Sequence, residues 1–138
     1  MFKRIMVPVD LAHIDKMEHA LGCAADLAGL YGAEVTYVGA TAAAPSAVAH
    51  TPAEFAAKLR EFAGAQAAQR GIEAHDHMVM AHDPTTDLDD TLLRAVKDID
   101  ADLVVMASHV PGVAEYVWPS NGGKIAGHAK ASVLVVRD

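Results

Sequence analysis

The sequence predicts an α/β fold, an open five-stranded parallel sheet with helices on both faces. Two observations carry that prediction. Short runs of β-branched and apolar residues alternate with longer stretches of helical spacing from one end of the chain to the other. The short runs are apolar almost throughout, as strands buried on both faces are. The length of 138 residues fits a single domain, residues 1–138, and a 52% hydrophobic content gives it a real core. Aromatic residues are only 5%, so that core rests on Ala, Val, Leu, Ile and Met.

Residues 4–9 form the first apolar run, and Asp10 stands where it ends. From about residue 15 to Tyr31, Met17, Leu21, Ala24, Ala25, Ala28 and Leu30 recur at helical spacing, and Gly32 suits a helix C-cap. Residues 34–40 read as a second strand, and the Ala-rich stretch 41–50 as a loop. Thr51-Pro52-Ala53-Glu54 starts a helix, with Thr as N-cap, Pro in the first turn and Glu three residues after the cap. Phe55, Leu59 and Phe62 mark its buried face, and Gly71 ends it. Residues 72–80 form the third strand. Thr86-Asp87-Leu88-Asp89 resembles another capping box, continued by Leu92, Ala95, Val96 and Ile99. Residues 103–107 form a fully apolar fourth strand. Residues 120–129 form a last helix, weakened by Gly122, Gly123 and Gly127, and residues 132–136 the fifth strand.

Composition excludes several functions. A formal net charge of -7, with the basic residues dispersed along the chain, opposes binding to nucleic acid or to an anionic membrane surface. So few aromatic residues also leave few platforms for base stacking. The single cysteine, Cys23, makes no internal disulfide. The N-terminal apolar run is too short for a signal h-region or a membrane span, so the expected location is cytoplasmic, with no membrane insertion.

In sheets of this kind ligands bind beyond the carboxyl ends of the strands, where strand order reverses. The informative residues are therefore 10–13, 40–50, 81–86 and 107–121. Asp10 is either a ligand contact or a turn and cap residue. Ser120-Asn121 either meets an anion or caps the last helix. His109 is either a polar contact to ligand or a packing residue of its loop. His13, His50, His82 and His109 follow strands and could gather with Asp10 and Asp83 around a metal, though their spacing matches no ligand pattern. His75 and His77 share one face of the third strand, which is expected at a sheet edge. Asn121-Gly122-Gly123-Lys124 is not a P-loop: the upstream glycine spacing is missing, and Ile125 replaces the Ser/Thr that would hold magnesium. No nucleophile, base and orienting group are visible as a set, so an enzyme is not expected.

Three segments resemble the universal stress protein family: Ile5-Met6-Val7-Pro8-Val9-Asp10, Val104-Val105-Met106-Ala107-Ser108-His109, and the stretch from His128 to Arg137. Residues 107–137 look most like a subgroup with Ala-Ser-His-Arg-Pro and Gly-Ser-Asn loop motifs, some members of which regulate a membrane transporter. The resemblance implies a Rossmann-like, adenine nucleotide alpha hydrolase-like fold. It implies a regulatory protein with weak nucleotide hydrolysis at most, taking ATP or AMP as ligand, with Mg2+ as companion ion. By position, Pro8, Val9 and Asp10 would lie near the adenine and ribose. Ala40 would offer backbone to the base, and Met106, Ala107, Ser108 and His109 would floor the site. Ser120 and Asn121 would close the phosphate loop, whose amides and helix N-terminus favour an anion.

The family's ATP-binding members carry glycines where this chain has Ala107, Val110 and Pro119. Proline has no N–H, and one hydrogen bond to a charged group is worth about 1.5–3 kcal/mol, about tenfold or more in affinity. Val110 replaces the subgroup's arginine. His82-Asp83-Pro84 stands for the family's Gly-x-Pro, and Asp83, Asp87, Asp89 and Asp90 follow, which would repel phosphate unless a metal ion intervenes. The base side of the motif is therefore better kept than the phosphate side. The resemblance also implies a homodimer built on the last strand through Val133, Leu134, Val135 and Val136. Two other readings stay open: a nucleotide-free dimeric interaction module, and a metal-binding protein using the post-strand histidines.

Overall fold

The computed structural model describes residues 1–81, 88–107 and 121–137, with only the backbone of 121 and 122. The strands are β1 (Arg4–Pro8), β2 (Glu34–Thr41), β3 (Ala74–Met80), β4 (Leu103–Ala107) and β5 (Ser132–Val136). The helices are α1 (Glu18–Tyr31), α2 (Pro52–Arg70), α3 (Leu88–Asp98) and α4 (Asn121–His128). The strands form one five-stranded sheet in the order β3-β2-β1-β4-β5, and every pairing is parallel. This is the expected α/β Rossmann-like architecture. The chain adds β2 and β3 on one side of β1, then crosses to the other side for β4 and β5, so strand order reverses between β1 and β4.

Side chains alternate across a strand, and here both sides are buried. Ile5, Val7, Val35, Tyr37, Leu103 and Val105 pack with α1 and α2. Met6, Val38, Val79, Val104 and Met106 pack with Leu92, Ala95 and Val96 of α3 and with Ile125 of α4. Small residues let the helices approach: Ala20, Ala24 and Ala28 of α1 are all nearly fully buried.

The predicted starts and stops hold where a side chain or a backbone sign decides them. Thr51 Oγ1 accepts from the Glu54 N–H at 3.1 Å, and Pro52 opens α2. Glu54 Oε2 in turn accepts from the His50 N–H at 3.0 Å, one residue beyond the usual reciprocal cap. Gly32 and Gly71, both at φ 64°, close α1 and α2, the left-handed conformation glycine adopts without a Cβ penalty.

The first helix departs from expectation. A 3-10 turn over Ile14–Met17 precedes α1. Two successive tight turns cause it, His13 N–H to the Asp10 carbonyl at 2.9 Å and Lys16 N–H to the His13 carbonyl at 3.0 Å. β3 begins at Ala74 rather than 72. The glycine-bearing α4 forms over Asn121–His128, anchored by Ile125, which is fully buried. Residues 86 and 87 of the second predicted capping box lie outside the described residues. Among the described residues no helix is long and apolar enough to cross a membrane.

Candidate functional site

In sheets of this kind a ligand crevice forms outside the carboxyl ends of the strands where their order reverses, here at β1 and β4. Pro8 ends β1, and the Val9 N–H extends the ladder one step to the Val38 carbonyl at 2.8 Å. Strand alternation then sorts the predicted residues by face. Met6, Val38 and Met106 belong to the core on the α3–α4 side, so Pro8, in phase with Met6 and paired with Val38, is set on that side too, while Asp10 follows the strand in the turn that leads to α1. Ala40 packs against the same core, half-buried. Pro8, Ala40 and Met106 therefore share one face of the sheet at its carboxyl end. Val9 and Ala107 are in the opposite phase. Their side chains pack into the α1–α2 core, and only their backbone is available at the edge. Ser108, His109 and Ser120 lie outside the described residues, as do Val110, Pro119, His82, Asp83 and Asp87; of Asn121 only the backbone is described, opening α4.

Asp10 is fixed by its own turn. Its Oδ1 accepts from the Ala12 N–H at 3.0 Å, its Oδ2 meets His13 Nδ1 at 2.9 Å, and its own N–H points at Met17 Sδ at 3.5 Å. The turn reading of this aspartate is thus realised. It does not exclude a ligand, since each carboxylate oxygen accepts about two hydrogen bonds. Of the histidines expected to gather with Asp10, His13 does meet it, because the turn closed by the His13 N–H and the Asp10 carbonyl brings residues three apart together.

Electrostatics at this edge are less repulsive than the acidic run suggests. Asp89 and Asp90, in the first turn of α3, face Lys124 of α4, with Nζ at 3.8 and 3.6 Å from their carboxylates. A cleft of about 640 Å³ opens on the other side of the β1–α1 turn, lined by Leu11, Ile14, Val48, Lys58 and Phe62 among others. Among the described residues, none of the predicted site residues lines it.

The proposed gathering of post-strand histidines is not seen among the described residues. His50 faces Glu54, with Nδ1 at 3.5 Å from Oε2, while His82 and His109 fall outside them. The described group close enough to hold a metal ion lies at the opposite, amino end of the sheet: Glu34, Glu73 and His75. His75 and His77 do share a face of β3, and β3 is an edge strand, as expected. His77 Nε2 lies 3.9 Å from Asp98 of α3.

An open parallel sheet with its order reversing at β1 defines an α/β protein that presents its loops and helix N-termini at one carboxyl edge. The family model described as the universal stress protein family matches residues 1–137, and the chain belongs to that family. Solved structures of similar fold include a universal stress protein in complex with cAMP, 22% identical over 98% of this chain and 97% of its own, with a TM-score of 0.70. The universal stress protein of Archaeoglobus fulgidus in complex with dAMP is 20% identical over 96% of each chain, with a TM-score of 0.68. A family protein of Arabidopsis thaliana with AMP bound is 13% identical over 98% of this chain and 91% of its own, with a TM-score of 0.65.

Proposed function

We propose that this universal stress protein is a regulatory protein that takes the adenosine part of ATP or AMP at the carboxyl edge between β1 and β4, and transmits occupancy through protein contacts rather than catalysis. The observation that supports this reading is that Pro8, Ala40 and Met106 share one face at the reversal of strand order, with Asp10 in the turn that follows β1 at the same carboxyl end. The three relatives solved with adenine nucleotides support it. Val9 and Ala107 contribute backbone only. Ser108, His109, Ser120 and Asn121 complete the site by resemblance, together with the kinship to the Ala-Ser-His-Arg-Pro subgroup. Mg2+ enters only with a triphosphate. Because Pro119 and Val110 remove phosphate partners, the triphosphate adds little to affinity.

Titration calorimetry with AMP and ATP tests the reading. Both should bind with affinities within tenfold of each other. Asp10→Asn should weaken both by about tenfold or more, the scale of one charge-assisted hydrogen bond. ATP binding at least tenfold tighter than AMP would show that the lost phosphate donors are compensated. An unchanged affinity in Asp10→Asn would remove Asp10 from the site.

One observation favours the second reading, a nucleotide-free dimeric interaction module. Both carboxylate oxygens of Asp10 already have partners within the turn. On that reading the protein purifies without nucleotide and neither AMP nor ATP gives heat of binding.

A further inference from the structure

The parallel register of β2 and β3 pairs Val35 with Ala74 and Thr36 with His75. One step earlier it sets Glu34 beside Glu73, where the Val35 N–H donates to the Glu73 carbonyl at 2.9 Å. Like charges placed side by side on neighbouring strands are destabilising, so this corner of the sheet calls for positive charge. His75, two residues after Glu73 and on the same face, turns its imidazole between the two acids. His75 Nε2 lies 3.1 Å from Glu73 Oε2 and 3.8 Å from Glu34 Oε2. Arg4 reaches the other oxygen of Glu34, Oε1, at 3.6 Å, and its Nη1 is turned to Asp100 at 3.2 Å. Glu34 is thereby held from behind, with Oε2 presented to the imidazole.

We propose that Glu34 Oε2, Glu73 Oε2 and His75 Nε2 form a divalent-cation site of the zinc class at the amino end of β2 and β3. The three ligand atoms lie within 4.8 Å of one another. A tetrahedral zinc with bonds of about 2.1 Å separates its ligand atoms by about 3.4 Å. The distances from His75 Nε2 to Glu73 and Glu34, 3.1 and 3.8 Å, bracket that separation, so rotamer adjustment of two exposed side chains completes the geometry. One imidazole and two carboxylates suit zinc better than magnesium, which prefers oxygen ligands and keeps several waters. In the metal-free protein His75 Nε2 and Glu73 Oε2 are within hydrogen-bond distance of each other, at 3.1 Å. Arg4 plays the outer role, orienting a ligating carboxylate from its far oxygen. The site stands at the opposite end of the sheet from the proposed nucleotide crevice and involves none of its residues. Its effect is to tie the edge strand β3 to β2 and to remove the repulsion between the two acids.

Calorimetry with Zn2+ on chelator-stripped protein tests this. Wild type should bind a single Zn2+ per chain, and His75→Gln and Glu73→Gln should each weaken it by at least about tenfold. His50→Gln, a histidine outside the group, should leave it unchanged, as should Mg2+ as competitor. Nucleotide binding should be the same in wild type and His75→Gln, which separates this proposal from the previous one. A second measurement needs no variant. Co2+ added to the wild-type protein should shift amide resonances around Glu34 and residues 73–75 first. No binding of Zn2+, binding that survives in His75→Gln, or Co2+ shifts centred elsewhere would each overturn the proposal.

Discussion

Tyr37 shows how much one atom can decide. Its ring is fully buried on β2, edge-on to Phe62 with centroids 5.1 Å apart. Its hydroxyl has no hydrogen-bond partner among the described residues. Burial pushes its pKa from 10.0 up to about 12, and the nearby Arg70 offsets only part of that. The sign follows from proton counting. Between about pH 10 and 12 the unfolded chain gives up the Tyr37 proton while the folded chain keeps it. Stability therefore falls as pH rises through that window, and below it the group contributes no slope. Tyr37→Phe removes an unsatisfied buried hydroxyl while keeping the ring, so it should be neutral or stabilise at pH 7 by up to about 1 kcal/mol. It should also flatten the alkaline loss. Urea midpoints of both proteins from pH 7 to 12 measure this; a Tyr37→Phe protein less stable by more than about 1 kcal/mol would mean that the hydroxyl has a partner. Nothing in the sequence announces such a residue: Tyr37 reads there as one more strand residue, and its orphaned hydroxyl is a product of packing. Asp10 was legible because a polar residue closing an apolar run must lie at the sheet's edge. The meeting of Glu34 with Glu73 was not legible, because it depends on strand register.

The elements were more legible than the contacts between them. β4 and β5 match their expected limits, and the Thr51 cap and Gly71 stop frame α2 as read, because these signals are local. The 3-10 turn before α1 was missed because Asp15 and Lys16 carry no local sign of it. That the side chains of Val9 and Ala107 turn into the α1–α2 core was not legible, because positional resemblance does not say to which face a side chain points. How α2 crosses β2 is likewise invisible in the sequence, and one residue controls it. A Cβ on Gly39 would lie 2.8 and 2.9 Å from two ring carbons of Phe55 and 3.3 Å from Leu59. Phe55 and Leu59 are buried, so the ring has no free space to yield. Gly39→Ala should therefore destabilise by about 1–3 kcal/mol, the usual cost of overpacking a core. Because Gly39 adjoins Ala40, the strain should also weaken AMP binding if the crevice is the site. Denaturant unfolding checks the first effect, and a loss under about 0.5 kcal/mol would mean that α2 can slide on the sheet.

On the scale of the molecule the sheet has two edges, and the chain treats them differently. β3 carries His75, Asp76 and His77, polar groups that discourage pairing with another chain. β5, the opposite edge, reads Ser-Val-Leu-Val-Val, and Leu134 and Val135 are 37% and 41% exposed. Val133 packs on the α3–α4 core and Val136 on the α1–α2 core, so the strand is seated in the sheet, yet its residues are left partly uncovered. An apolar edge with free backbone groups is an aggregation hazard unless something pairs with it. A second copy of the same strand would match that chemistry, since a two-fold axis brings the same patch of both copies together and a contact from one residue to another recurs in reverse. Full burial of a Val or Leu side chain is worth about 1.5–3 kcal/mol. Half of that, doubled by symmetry, makes Leu134 or Val135 worth about tenfold or more in dimer affinity. The chain should therefore sediment as a dimer at micromolar concentration. Val135→Asp should shift the monomer–dimer midpoint upward by at least about tenfold, because it also puts a carboxylate from each copy into an apolar edge. A charge at β3, Asp76→Lys, should leave the midpoint unchanged. A wild-type chain that sediments as a monomer would rule out β5 as the assembly surface, and a dimer that survives Val135→Asp but not Asp76→Lys would move the interface to the other edge.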